Sequence, residues 1–76
     1  MVTAFILVAT TSRSSYEVRD GLRDVPGVME VHVVFGQYDL VVKAEVPDSE
    51  ALGRLIFGDI RSNDCDMSTT TLTVIP

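Results

Sequence analysis

The chain carries one histidine and one cysteine among its 76 residues. Side chains able to act as base, nucleophile or soft metal ligand are therefore few, and their spacing decides what they can do. His32 lies within a β-rich run, far in sequence from Cys65 and the serines, whereas covalent catalysis needs a nucleophile and a base within hydrogen-bond reach. Its plainer role is that of a surface or interface histidine beside Lys43 and the threonines of the last strand. Asp64-Cys65-Asp66 offers one thiolate and two carboxylates. Adjacent positions cannot all turn toward one ion without a sharp bend and further ligands, so this stretch reads as a helix-to-strand loop. Gly27 and Gly36 serve turns, and no glycine-rich phosphate loop occurs. No catalytic residue, metal site or cofactor is expected.

Two polar clusters remain. Gly36, Gln37, Tyr38 and Asp39 form a turn whose backbone amides and carbonyls could hold the carboxylate and ammonium of an amino acid, with Asp39 either bonding the ammonium or fixing the turn. Ser68, Thr69, Thr70 and Thr71 offer hydroxyls that both donate and accept. Each has a simpler reading: a hairpin turn with glycine at positive φ, and a strand of good β propensity.

The elements that must position these clusters follow from periodicity. Residues 2–9 are almost continuously apolar, the pattern of a central strand covered on both faces. Ser14 and Glu17 match a capping box, and Val18, Leu22 and Val25 continue at helical spacing, so a helix is expected over about 14–24. Pro26-Gly27 ends it. Residues 28–35 alternate, with Met29, Val31, Val33 and Phe35 on the core side. After the turn, Leu40, Val42, Ala44 and Val46 make a core face and Val41, Lys43 and Glu45 the other, which completes a hairpin. Asp48 or Ser49 caps a second helix bearing Leu52, Leu55, Ile56 and Ile60, and Ser62-Asn63-Asp64 breaks it. Residues 67–75 form the last strand.

This βαββαβ order, with right-handed crossovers, predicts one α+β domain over 1–76: a ferredoxin-like sandwich with a four-stranded antiparallel sheet, order 4-1-3-2, and both helices on one face. Strands one and two then end where strands three and four begin. Residues 10–12, the turn at 36–39 and residues 65–70 gather at that end, with the turn and the fourth strand about 10 Å apart. The uncovered sheet face is expected to carry Val34, Val41, Thr71, Thr73 and Ile75 among Glu30, His32, Lys43 and Glu45, an amphipathic surface suited to an interface.

Composition narrows the function classes. An apolar content of 46% exceeds what one small core needs, which points to self-association. Six basic against eleven acidic residues give a net charge of −5, which opposes binding to phosphate backbones. The first apolar run is too short to span a bilayer and lacks the basic flank of a signal peptide, and the single cysteine fits a reducing, cytoplasmic setting.

Taken together, Val25-Pro26-Gly27-Val28, Gly36-Gln37-Tyr38-Asp39-Leu40 followed by Val42-Lys43, and Thr69-Thr70-Thr71-Leu72 resemble the ligand-binding (RAM) domain of Lrp/AsnC, or feast/famine, regulators over essentially the whole chain. That family usually has Gly-Val before the last strand, where this sequence reads Asp64-Cys65-Asp66-Met67. Met67 is a candidate for ligand selectivity. The resemblance implies a stand-alone domain without the winged DNA-reading unit, a homodimer through sheet faces that extends in some members to octamers, an amino-acid effector between subunits near the hairpin turn, and hetero-association with full-length Lrp/AsnC regulators. Alternatives on the same architecture are a small dimeric α+β barrel enzyme, disfavoured by the wholly apolar inner face, and an ACT-like amino-acid-binding domain, disfavoured by the Gly36-x-Tyr38-Asp39 turn.

The charge balance generates a direct expectation: the purified chain should not retard duplex DNA at physiological salt in a mobility-shift titration. Tight, salt-sensitive binding would contradict it.

Overall fold

The computed structural model describes residues 1–10, 14–60 and 68–75, with Asp59 described by its backbone alone. Strand β1 (Val2–Ala9) is central, pairing antiparallel with β3 (Leu40–Val46) from Val2↔Val46 to Val8↔Leu40 and with β4 (Ser68–Thr73) from Ala4↔Thr73 to Ala9↔Ser68. Strand β2 (Val28–Val33) lies outside β3, so the sheet order is β2-β3-β1-β4. Helices α1 (Ser15–Leu22) and α2 (Ser49–Arg54) complete the βαββαβ order. This is the ferredoxin-like sandwich expected from the sequence, and residues 61–67, including the helix-breaking Ser62-Asn63-Asp64 and the start of the last strand, lie outside the described residues.

The core forms where the two periodicities meet. Alternation gives Ala4, Ile6 and Val8 of β1 and Leu40, Val42, Ala44 and Val46 of β3 one common face. Val18 and Leu22 of α1 and Leu52, Leu55, Ile56 and Ile60 of the second helical segment close over it. Both helices therefore cover the same side of the sheet. Ser14 caps α1 as expected, its hydroxyl accepting from the Tyr16 amide at 3.3 Å, and Asp48 caps α2 by accepting from the Ala51 amide at 2.8 Å.

Four expectations are corrected. The second helix does not continue as α-helix: Leu55–Ile60 is a π-helical turn, which still delivers Leu55, Ile56 and Ile60 to the core. Met29 is not on the core side, because a register shift between Val28 and Glu30 inserts one residue and turns Met29 outward, leaving Val28, Val31 and Val33 to pack inward. Phe35 lies beyond the end of β2 in a 34–39 connection and is fully exposed.

The last correction concerns β4. Its register sets Thr69, Thr71 and Thr73 opposite Val8, Ile6 and Ala4, on the helix side, and assigns Ser68, Thr70 and Leu72 to the uncovered face beside Ala9, Leu7 and Phe5. Thr71 and Thr73 are thus not open-face residues, and Leu72 takes the place given to them. Ile75 lies past the end of β4. The uncovered face is apolar along its middle, through Phe5, Leu7, Val41 and Leu72, and charged toward β2. There Glu30 accepts from His32 Nε2 at 3.1 Å and faces Lys43 Nζ at 3.8 Å. The fourth-strand threonines lie at the opposite edge of the sheet, not beside His32.

Gly27 sits at the entry to β2 with φ +95°, and its carbonyl accepts from the Glu45 amide at 2.8 Å. A Cβ there would meet Val46 Cγ1 at 3.1 Å, whereas one at Gly36 (φ +131°) would meet nothing within 4 Å. Both positions strain an L-residue, but only Gly27 adds a clash. Gly27→Ala should therefore cost about 1–3 kcal/mol in a urea melt and exceed the loss from Gly36→Ala. Equal losses would show that packing against Val46 is irrelevant.

Candidate functional site

Because β1 ends and β3 and β4 begin at the same edge, the loop before β3 and the first turn of β4 meet across the end of β1. Asp39 ties the loop to the end of β1 by two hydrogen bonds and closes the loop on itself by a third. Its amide donates to the Val8 carbonyl (2.8 Å), its carbonyl accepts from Val34 (2.9 Å), and its carboxylate Oδ2 accepts from the Thr10 amide (2.9 Å). The carboxylate is half-buried and engages the main chain 29 positions away. Of the two roles open to Asp39, this arrangement supplies a physical basis for fixing the loop: a side-chain oxygen accepting from the main-chain amide just past β1.

Tyr38 makes the second link. Its hydroxyl lies 2.9 Å from Thr70 Oγ1, with either atom able to donate. Thr70 stands opposite Leu7 in β4, and β1 separates β3 from β4, so the Tyr38 side chain bridges β1 on the uncovered face. The hydroxyl pair is solvent-exposed. It retains unused donor and acceptor capacity, and its neighbours in register, Leu7, Ala9 and Val41, are apolar.

The residues singled out from sequence divide accordingly. Tyr38, Asp39 and Thr70 are brought together, with Ser68 one alternation away on the same face. Gly36 and Gln37 are exposed at the loop tip. Thr69 and Thr71 point by register to the helix side and do not share the face of the hydroxyl pair. Met67, Cys65 and the flanking aspartates lie outside the described residues. Thr10, Leu7 and Leu72 complete the surroundings and were not picked out as site residues from sequence. The available signal for Leu72 was its being the one apolar residue interrupting the threonine run.

Among the described residues, no group of three His, Cys, Asp or Glu side chains could hold a metal ion. No helix of the described residues is long and apolar enough to cross a membrane.

A sheet with one helix-covered face and polar loops gathered at one end is an α+β sandwich. Comparison with known proteins makes the assignment specific: the family model of the Lrp/AsnC ligand binding domain matches residues 3–76, and the chain belongs to that family. A helix-turn-helix-type transcriptional regulator of Pyrococcus horikoshii is 37% identical over 62 residues, covering 78% of this chain and 41% of the relative. The chain thus spans about two fifths of the length of the curated relatives it matches. The crystal structure of a hypothetical protein from P. horikoshii superposes with a TM-score of 0.86 at 39% identity, covering all of this chain and 92% of that one. A feast or famine regulatory protein from M. tuberculosis, crystallised with L-methionine, shares the fold at 19% identity and a TM-score of 0.85, covering all of this chain and 51% of that one.

The role of Asp39 is open to a thermodynamic test. Asp39→Ala, which leaves the Thr10 amide without its acceptor, should lower stability by about 1–3 kcal/mol, and Asp39→Asn, which keeps a side-chain oxygen, by clearly less. Equal losses in denaturant titrations would mean that the charge, not the acceptor, is what matters.

Proposed function

We propose that this chain is a self-associating effector domain that binds an amino acid at the sheet end where Tyr38 and Thr70 meet, and that conveys the bound state to transcription. One observation carries the placement: the Tyr38–Thr70 hydroxyl pair, exposed on the uncovered sheet face and set on a loop that Asp39 ties to β1. Backbone groups at Gly36 and Gln37, both exposed, and the hydroxyls of Ser68 and Thr70 supply donors and acceptors for a zwitterion. Leu7 and Leu72 supply apolar surface for its side chain.

Membership in a ligand-binding family of transcriptional regulators supports a regulatory rather than catalytic role. The methionine held by the M. tuberculosis protein supports an amino acid as the ligand class. A second copy seated on the uncovered face would enclose the hydroxyl pair and complete the site, so that ligand and assembly are coupled through differential affinity for the two states. Dimers of this kind could assemble further, up to octamers, or pair with a full-length Lrp/AsnC regulator.

The test is a calorimetric screen of the twenty amino acids against the wild type, Tyr38→Phe and Thr70→Val. At least one amino acid should bind more tightly than about 1 mM, and Tyr38→Phe should weaken it roughly five- to tenfold, the worth of one hydrogen bond. No binder better than millimolar, or an affinity indifferent to both substitutions, would overturn the placement.

A further inference from the structure

The far end of the sheet holds a cavity that the reading above leaves unused. It has a volume of about 320 Å³ and is lined by Gly27, Val46, Pro47, Ala51, Arg54 and Leu55, together with Pro26 and Glu45. Val46 closes β3 while the hairpin loop opens it, so the cavity lies about 20 Å from the Tyr38–Thr70 pair at the usual rise per strand residue. It is on the helix side, between α2 and the end of β3, so a second copy on the uncovered face leaves it open.

Its walls are of two kinds. Val46, Pro47, Ala51 and Leu55 make an apolar lining, and Gly27 borders it with main chain alone. Glu45 occupies an open-face position of β3, and its main-chain carbonyl borders Gly27. The charged side chain at the mouth on the helix side is Arg54. Its Nη1 lies 3.2 Å from Glu50 Oε1, one helical turn earlier, and both side chains are largely exposed. Such an i,i+4 pair is weak and exchangeable. Glu50 occupies one N–H of a guanidinium that has five, and the remaining fork matches a carboxylate.

We propose that this cavity is a binding site for a small aliphatic carboxylate, its hydrocarbon against Val46, Ala51 and Leu55 and its carboxylate on Arg54. The ligand class follows from the pairing of an apolar pocket in the size range of small-molecule sites with a single cation at its mouth. Glu50 is a built-in competitor: it holds Arg54 when the pocket is empty and yields part of the guanidinium when it is filled.

The test uses the whole chain, ¹⁵N-labelled and titrated with isocaproate, with the corresponding alcohol as the neutral control. Isocaproate should shift the amides of Gly27, Ala51 and Leu55 saturably and bind more tightly than the alcohol. Arg54→Gln should weaken isocaproate about three- to fivefold and bring it level with the alcohol. Glu50→Gln, which frees the guanidinium, should tighten it. Arg54 and Glu50 are exposed, so neither variant endangers the fold. Ala51→Phe, which fills the cavity, should abolish the shifts. Wild-type shifts absent from these amides, or an isocaproate affinity unchanged by Arg54→Gln, would overturn the proposal. So would an unchanged or weaker affinity in Glu50→Gln. None of these outcomes bears on binding at the Tyr38–Thr70 end.

Discussion

The structure turns on one constraint: β1 is apolar on both faces, and the two helices cover only one of them. Ala4, Ile6 and Val8 meet the helices and are fully buried, while Phe5 and Leu7 alternate onto the bare side. There they join Val41 from β3 and Leu72 from β4 in a band running across three strands. Full burial of each such large side chain is worth about 1.5–3 kcal/mol. A chain of this size has little stability to spare, so a band left in water would forgo a contribution comparable to its whole margin.

The same constraint fixes where ligand chemistry can sit. Main-chain polar groups in the sheet are used by its ladders, so free donors and acceptors collect at the strand ends. At the end where β1 runs out, Asp39 secures the Thr10 amide and the loop, and the Tyr38 and Thr70 hydroxyls meet over β1 at the margin of the apolar band. A ligand there would touch both the chain that holds it and any copy packed on the band. The cavity at the other end is built differently, from a helix, two prolines and the main chain of a glycine.

Much of this was legible in the sequence, for reasons that can be named. Leu40, Val42, Ala44 and Val46 announce a strand and its buried face because alternation has only one physical reading, and Ser14 and Asp48 announce helix starts because orphan amides need acceptors. The strand order followed from crossover handedness, and with it the meeting of residues 10, 36–39 and 68–70 at one end. What failed depended on single-residue shifts that local pattern does not encode. The irregularity between Val28 and Glu30 moved Met29 from core to solvent, and the Leu55–Ile60 turn widened with its apolar spacing intact. The threonine run gave no contrast between faces except at Leu72, so its orientation was assigned backward. The bond from Asp39 to Thr10 joins residues far apart in sequence, and no spacing rule reaches it.

In this Lrp/AsnC ligand-binding domain, the proposed self-association rests on the apolar band of the uncovered face. The most direct measurement is the solution mass of the wild type and of Leu72→Asp, by light scattering at micromolar concentration. The account predicts a wild-type mass of at least twice the 8.3 kDa chain, and a folded single chain when an aspartate replaces Leu72. A wild type that is monomeric at these concentrations, or an assembly indifferent to a charge within the band, would contradict it.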